Sequence, residues 1–330
     1  MRIAIIGAGF CGIAVVWHLL QLNPHLDIDV FDPAGIGGGA SGISAGLLHP
    51  FAGAHAKLNW LGREGMESTR QLLAISEKEL GQPVADYSGL LRLAISEEQA
   101  QSFAKCASLY SDVVWRDVQQ CQEIAPGIAP FPGILIKSAI IVNTALYLRG
   151  LWQACQKYQV SLLQREIKSL EDLKDYDVVV VSAGAASKNL PELAHLPLTP
   201  VKGQVLLLEW PEGLPPLTIT LNSQAYVVMN SDGKTCLAGA TFERDFVNVE
   251  PELNAAVGDL MPKIGAMLPL LGGARVLECR AGIRASTPDH HPIIGSVGDN
   301  CWVITGMGSK GLLYHGLFAE RISRQIVVED

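Results

Sequence analysis

The sequence predicts an α/β fold. A discontinuous parallel-sheet domain (1–85, 140–200 and 275–330) is interrupted by a smaller antiparallel-sheet α+β domain (86–139 and 201–274). Three observations carry this expectation. The chain opens on an apolar strand that runs into Gly7-Ala-Gly-Phe-Cys-Gly12 and is followed by a second strand and Asp32. Further strand–helix pairs of the parallel type occur at 140–190 and at the C-terminal end. Between them, residues 201–240 read as four short strands with a turn at Ser231-Asp-Gly-Lys234.

The elements follow in order. A strand over 2–6, a helix over 10–22 and a strand over 28–32 form the opening βαβ unit. The glycine pattern G-x-G-x-x-G explains its turn. Gly7 allows a tight bend, Gly9 lets a pyrophosphate approach the backbone, and Gly12 lets the helix lie against the strand. A helix N-terminus receives the anion, and Asp32, 20 residues beyond Gly12, is placed to accept hydrogen bonds from a ribose. Strand, turn, helix, strand and acid in register make this a Rossmann-like dinucleotide site. A small-residue loop spans 35–46, and a helical pattern over 56–80 stops at Gly81. A strand near 90–95, a helix over 97–110 and a proline-rich turn over 125–133 come next. They are followed by a helix over 144–158 and a buried strand over 176–181 that ends in Ser182-Ala-Gly184. The strands of 201–240, a helix over 251–267, strands near 275–279 and 301–305 and a last helix over 309–328 complete the chain.

Residues 3–26 contain no Asp, Glu, Lys or Arg. The glycines at functional spacing and the Leu22-Asn-Pro-His25 ending read as a buried strand and helix, not a signal peptide or a membrane span. The expected location is the cytoplasm. The formal net charge is −8, and no Lys/Arg run of the nucleic-acid-binding kind is present. The charge balance therefore disfavours a large RNA footprint without excluding a local basic patch. Seven scattered cysteines with no C-x-x-C spacing predict reduced thiols and no metal site. Nothing in the sequence sets an oligomeric state.

The motif alone does not separate NAD from FAD. Three further stretches bear on the choice: Gly37–Gly46, Val178–Ser187, and Ile304-Thr-Gly-Met-Gly-Ser-Lys-Gly311. With them the chain resembles the D-amino-acid oxidase superfamily of FAD-dependent amine oxidoreductases, which includes glycine and sarcosine oxidases. The matching stretches also include Pro200-Val-Lys-Gly-Gln204, Leu237-Ala-Gly-Ala-Thr241, Gly282-Ile-Arg-Ala-Ser-Thr-Pro-Asp289 and Pro292-Ile-Ile-Gly295. Leu48-His-Pro50, Gly-Ala-Thr-Phe-Glu243 and Met307–Leu312 are most similar to one branch, the FAD domain of the bifunctional enzyme that matures carboxymethylaminomethyl-uridine in tRNA.

The resemblance implies noncovalent FAD, since the flavin-linking cysteine of sarcosine oxidases falls on Gly282. It places cofactor contacts at Gly7, Gly9, Phe10, Cys11, Gly12, Asp32 and Pro33, and at Ala40, Ser41, Gly42, Ser44, Ala45, Gly46 and Leu47. Others fall at Ala183, Gly184 and Ala185, and at Gly306, Gly308, Ser309, Lys310 and Gly311. It implies a hydride taken from a C–H next to an amine nitrogen of a small amine or amino acid, with few acid–base groups. Arg284 matches the family's carboxylate-binding arginine, whose planar fork suits a carboxylate. Lys310 would face negative charge developing on the flavin, and would otherwise be a solvated lysine. Tyr226 and His49 would line the substrate pocket, or else serve packing. Two alternative functions follow: modification of the tRNA wobble uridine, and FAD binding without catalysis.

Overall fold

The protein is described by a computed structural model over residues 1–298 and 300–328. Asp299 and the last two residues of the expected segment 275–330 lie outside the described residues. A six-stranded sheet runs Val160–Leu163, Asp27–Phe31, Arg2–Ile6, Val178–Val181, Cys301–Thr305, Ile293–Ser296. Its first five strands are parallel and the last is antiparallel. Its parallel strands are near-continuous apolar runs because both faces are covered. One face packs the helices Phe10–Leu22, Gly62–Leu80, Thr144–Cys155 and Gly311–Val328. The other packs Ile167, Leu173, Leu190, Leu193 and Leu198.

Small residues set how closely the helices approach. A Cβ at Gly65 would sit 2.4 Å from the Leu313 carbonyl oxygen, and one at Gly150 would sit 2.8 Å from that of Ser76. At the start of the last helix, fully buried His315 is held between Tyr147 and its own helix. Its Nδ1 lies 3.1 Å from the carbonyl oxygens of Gly311 and Leu312, which only accept. Nδ1 therefore carries the proton, and Nε2 accepts from the Tyr147 hydroxyl at 2.6 Å.

The second sheet has eight strands: Val276–Ser286, Thr199–Glu209, Thr235–Gly239, Tyr226–Met229, Thr220–Asn222, Leu90–Leu93, Gly133–Ile136 and Val113–Arg116. All pairs are antiparallel except Leu90–Leu93 with Thr220–Asn222. The alternation of its strands divides two faces. Leu91, Leu93, Leu206, Leu208, Leu221, Val227, Cys236 and Ala238 pack with the helix Leu253–Met267. Arg92, Gly203, Val205, Asn222 and Tyr226 point to the opposite side and line a cavity.

Several expected bounds shift. The strand expected over 275–279 runs from Val276 to Ser286, and it pairs with Thr199–Glu209 in the second sheet instead of joining the parallel one. It buries few of its first residues, so its apolar periodicity is weak. The helix expected over 56–80 begins at Gly62, because Lys57–Leu58 forms a short strand with Phe51–Ala52 and Leu61 turns left-handed. The loop 35–46 contains a single helical turn, Ala40–Ile43.

Two predictions follow from this packing. Gly46 has φ +74°, and a Cβ there would lie 1.8 Å from the Val142 carbonyl oxygen. Gly46→Ala is expected to cost on the order of 3 kcal/mol or more in urea unfolding. An unchanged midpoint would contradict the conformation described. Burial, above all, holds His49 down to about 3 and His18 and His315 down to about 4. Their folded values lie below the unfolded value, so their stabilising contribution is complete above pH ~6.5 and is lost as pH falls toward 3–4. Each contributes at most ~1.4 kcal/mol per pH unit in that window. Urea midpoints measured from pH 7 to pH 5 should fall, and less steeply in His315→Gln. A flat profile would mean that these histidines titrate normally.

Candidate functional site

The glycine turn is built of backbone against backbone. Gly7 has φ +106°, and a Cβ on it would lie 2.6 Å from the Ser182 carbonyl oxygen. A Cβ on Gly12 would lie 1.9 Å from the Gly7 carbonyl oxygen. Ser182 locks the crossing by donating from its hydroxyl to the carbonyls of Ile6 and Gly7 at 2.9 and 3.1 Å. Asp32, just past the second strand, accepts from the backbone N–H of Ala8 and Ala34, both at 2.9 Å. It thus ties the glycine turn to the strand end and keeps lone pairs for a further donor. No side chain caps the helix that starts at Phe10, apart from Ser41 Oγ accepting from the Phe10 N–H at 3.1 Å.

Above this turn, between the two sheets, lies a cavity of about 1130 Å³. That exceeds the roughly 300–1,000 Å³ usual for a single small-molecule site, and suits an extended dinucleotide with a substrate beside it. It brings together almost every sequence-predicted residue. Gly7, Gly9, Phe10, Cys11, Asp32, Pro33, Ala40, Ser41, Ser44, Ala45 and Leu47 line it, as do Ala183, Gly184, Ala185, Gly306, Gly308, Ser309, Lys310 and Gly311. His49, Tyr226 and Arg284 line it too. Gly12, Gly42 and Gly46 do not. A Cβ on each would lie within 2.2 Å of a carbonyl oxygen, that of Gly7, Gly37 or Val142. They shape the cradle from behind.

The predicted reactive groups are distinct in character. Arg284 lies across Gly203, where a Cβ would meet its guanidinium at 2.2 Å. It donates to the Thr241 carbonyl at 3.2 Å and lies 5.9 Å from the Phe242 ring centre. Among the described residues no carboxylate comes within 4.0 Å of it. Burial pulls its pKa down, and Tyr226 and Glu243 push it back up. Burial raises the Tyr226 phenol well above its ordinary range, against the pull of Arg284, so Tyr226 stays protonated. Lys310 is lowered by burial alone. His49 is neutral at physiological pH, and its buried Nδ1 has no hydrogen-bond partner. Cys11 is a thiol pushed up to about 12 by burial.

Some wall residues escaped the sequence reading. Arg92, Asn222, Ser223 and Gln224 line the cavity. Arg92 had a signal, as the one charge in the apolar strand Leu90-Leu-Arg-Leu93. The stretch Pro200–Gln204 acts from the other face. Fully buried Lys202 pairs with Glu252 at 2.7 Å, and Gln204 bridges Glu243 at 2.9 Å and the Glu252 N–H at 2.6 Å. These bonds hold both ends of a segment that presents Val249, Glu250 and Pro251 to the cavity rim.

Comparison with known proteins gives the same picture. The chain is 28% identical over 352 residues to the tRNA 5-methylaminomethyl-2-thiouridine biosynthesis bifunctional protein of Idiomarina loihiensis, covering 99% of this chain and 56% of that protein. It spans about half the length of such bifunctional relatives. It is 25% identical over 331 residues to glycine oxidase of Bacillus licheniformis, covering 92% of this chain and 86% of that enzyme. The glycine oxidase structure from Geobacillus kaustophilus superposes with a TM-score of 0.83 at 21% identity, over 98% of this chain and 95% of that one. The family described as FAD dependent oxidoreductase matches residues 2–325, and with the glycine cradle in place the chain belongs to that family of flavoenzymes.

Proposed function

We propose that the protein oxidises the C–N bond of a small amino acid or N-substituted glycine. The observation that carries this reading is Arg284, a half-buried guanidinium on the cavity wall with no carboxylate within 4.0 Å among the described residues. Such a group favours a planar anion that accepts two parallel hydrogen bonds. The two-domain division expected from the sequence belongs to the same proposal, with the boundary moved beyond Ser286 and the substrate held between the two sheets.

When bound, FAD supplies the hydride acceptor, and water hydrolyses the resulting imine. The glycine turn and Asp32 would hold its adenosine and pyrophosphate, and Gly306–Gly311 the far end. Noncovalent attachment fits the one cysteine on the wall, Cys11, whose burial keeps it a protonated, poorly nucleophilic thiol. Arg284 fixes the substrate carboxylate, and the protonated Tyr226 hydroxyl donates toward the same region. Lys310 contributes positive charge at the start of the last helix. His49, neutral, offers a hydrogen bond but no proton reservoir near pH 7. A second reading, oxidation of a glycine-like group on tRNA, is supported by the bifunctional relatives and would use the same Arg284.

Anaerobic bleaching of the flavin band tests the choice, using glycine, sarcosine, proline, D-amino acids and hypomodified tRNA. Bleaching by a free amino acid supports the proposal. Bleaching by tRNA alone, lost with added salt, supports the second reading. Arg284→Ala should keep the flavin spectrum and raise KM for carboxylate substrates about 100-fold. Unchanged kinetics would remove Arg284 from the site.

A further inference from the structure

The cavity has a second cationic wall that the reaction above leaves unused. Arg92 is only 6% exposed and lines the cavity. It donates to the carbonyls of Phe51 at 3.2 Å and Gly53 at 2.8 Å, and its Nε has no partner. No carboxylate among the described residues comes within 4.0 Å of it. Beside it, near enough for Arg92 to disfavour its charged form, the imidazole of His49 lines the same cavity. A buried charge without a counter-ion is costly, and so is each buried polar atom without a partner. Arg92 lines the cavity without a counter-ion among the described residues, so a ligand anion beside it would offset that cost.

Strand register locates this wall. Tyr226 pairs with Asn222, and Asn222 pairs with Arg92, all on the cavity face of the second sheet. Two strand spacings put Arg92 about 10 Å from Tyr226 along the cavity floor. Arg284 and Tyr226 are near enough for each to bias the other's ionisation.

We infer that Arg92, His49 and Asn222 form a second anion subsite, and that the preferred substrate is an N-substituted glycine carrying a second acidic group on its nitrogen substituent. The inference rests on Arg284 taking the first carboxylate. Arg284 grips the glycine end. The substituent then runs along the floor past Tyr226 and Asn222, and its carboxylate reaches the guanidinium of Arg92. A small apolar substituent, as in sarcosine, would leave that guanidinium uncompensated. The subsite thus selects by the charge of the tail, not by its bulk.

The test uses FAD-loaded enzyme and two thioether acids that have no amine to oxidise, read by perturbation of the flavin absorption band. They are (methylthio)acetate, with one carboxylate, and (2-carboxyethylthio)acetate, with two. Wild-type enzyme should bind the diacid at least about 10-fold more tightly. Arg92→Met should reduce that ratio to about 2-fold or less while leaving the monoacid within about 3-fold, and Arg92→Lys should keep part of the preference. Equal binding of both acids by wild-type enzyme overturns the subsite, whether or not Arg92→Met is soluble. Equal weakening of both acids by Arg92→Met also overturns it, and would make Arg92 only a clamp on the Phe51–Gly53 carbonyls. Bleaching by N-(2-carboxyethyl)glycine and sarcosine is followed in parallel. If neither amine bleaches the flavin while the diacid preference stands, the amine-oxidising reading fails and the subsite survives.

Discussion

Contact of backbone with backbone at Gly7, Gly12 and Ser182 is the constraint on which the rest of the structure depends. No side chain fits at either glycine, because an added Cβ would fall inside the radius of the Ser182 or Gly7 carbonyl oxygen. The first helix can therefore lie against the first strand, and the Val178–Val181 strand can end beside the same turn. Ser182 and Asp32 convert this proximity into fixed geometry with hydrogen bonds from both sides. A pyrophosphate then meets N–H groups without a bulky neighbour in the way. The tight helix contacts at Gly65 and Gly150 extend the same principle outward.

The second sheet solves a different problem. One face must be apolar enough to fold on the helix Leu253–Met267, and the other must tolerate charge beside a ligand. Alternation along each strand meets both demands, since Leu91 and Leu93 flank Arg92, and Leu206 follows Val205. Buried Lys202 sits on the folding face and pairs with the exposed Glu252, with Gln204 beside it. Removing Glu252 would leave the buried Lys202 ammonium without its counter-charge. That makes the rim segment the pair anchors a rigid part of the cavity wall.

Much of the fold was legible because its signals are local. The Gly7–Gly12 turn, Asp32 and the apolar run before Ser182 each report a backbone demand within a few residues. The wall around Gly306–Gly311 was legible only through family resemblance, since small residues at a helix start have several uses. The placement of Val276–Ser286 in the second sheet was not legible. That strand pairs along its whole length with Thr199–Glu209, some 80 residues away, and its exposed early residues carry no period. Arg92 was missed for a related reason: its meaning depends on Asn222 and His49, which only the fold brings near. Gly12, Gly42 and Gly46 were assigned as contacts because sequence spacing does not separate a glycine facing the cofactor from one facing another loop.

The parallel sheet has a consequence for how the protein is made. Its strands come from residues 2–31, 160–181 and 293–305, and the cavity lining runs on to Leu313. The cradle therefore cannot close until residue 313 has followed, and the 120 residues between Val181 and Cys301 alone take roughly 6–24 s at the usual 5–20 residues per second. For that whole interval the strand Val178–Val181 lacks its partner Cys301–Thr305, and leaves an apolar edge open. Cofactor capture thus has to wait for that last stretch of wall. Over that stretch the nascent chain needs shielding by the ribosome surface or by chaperones.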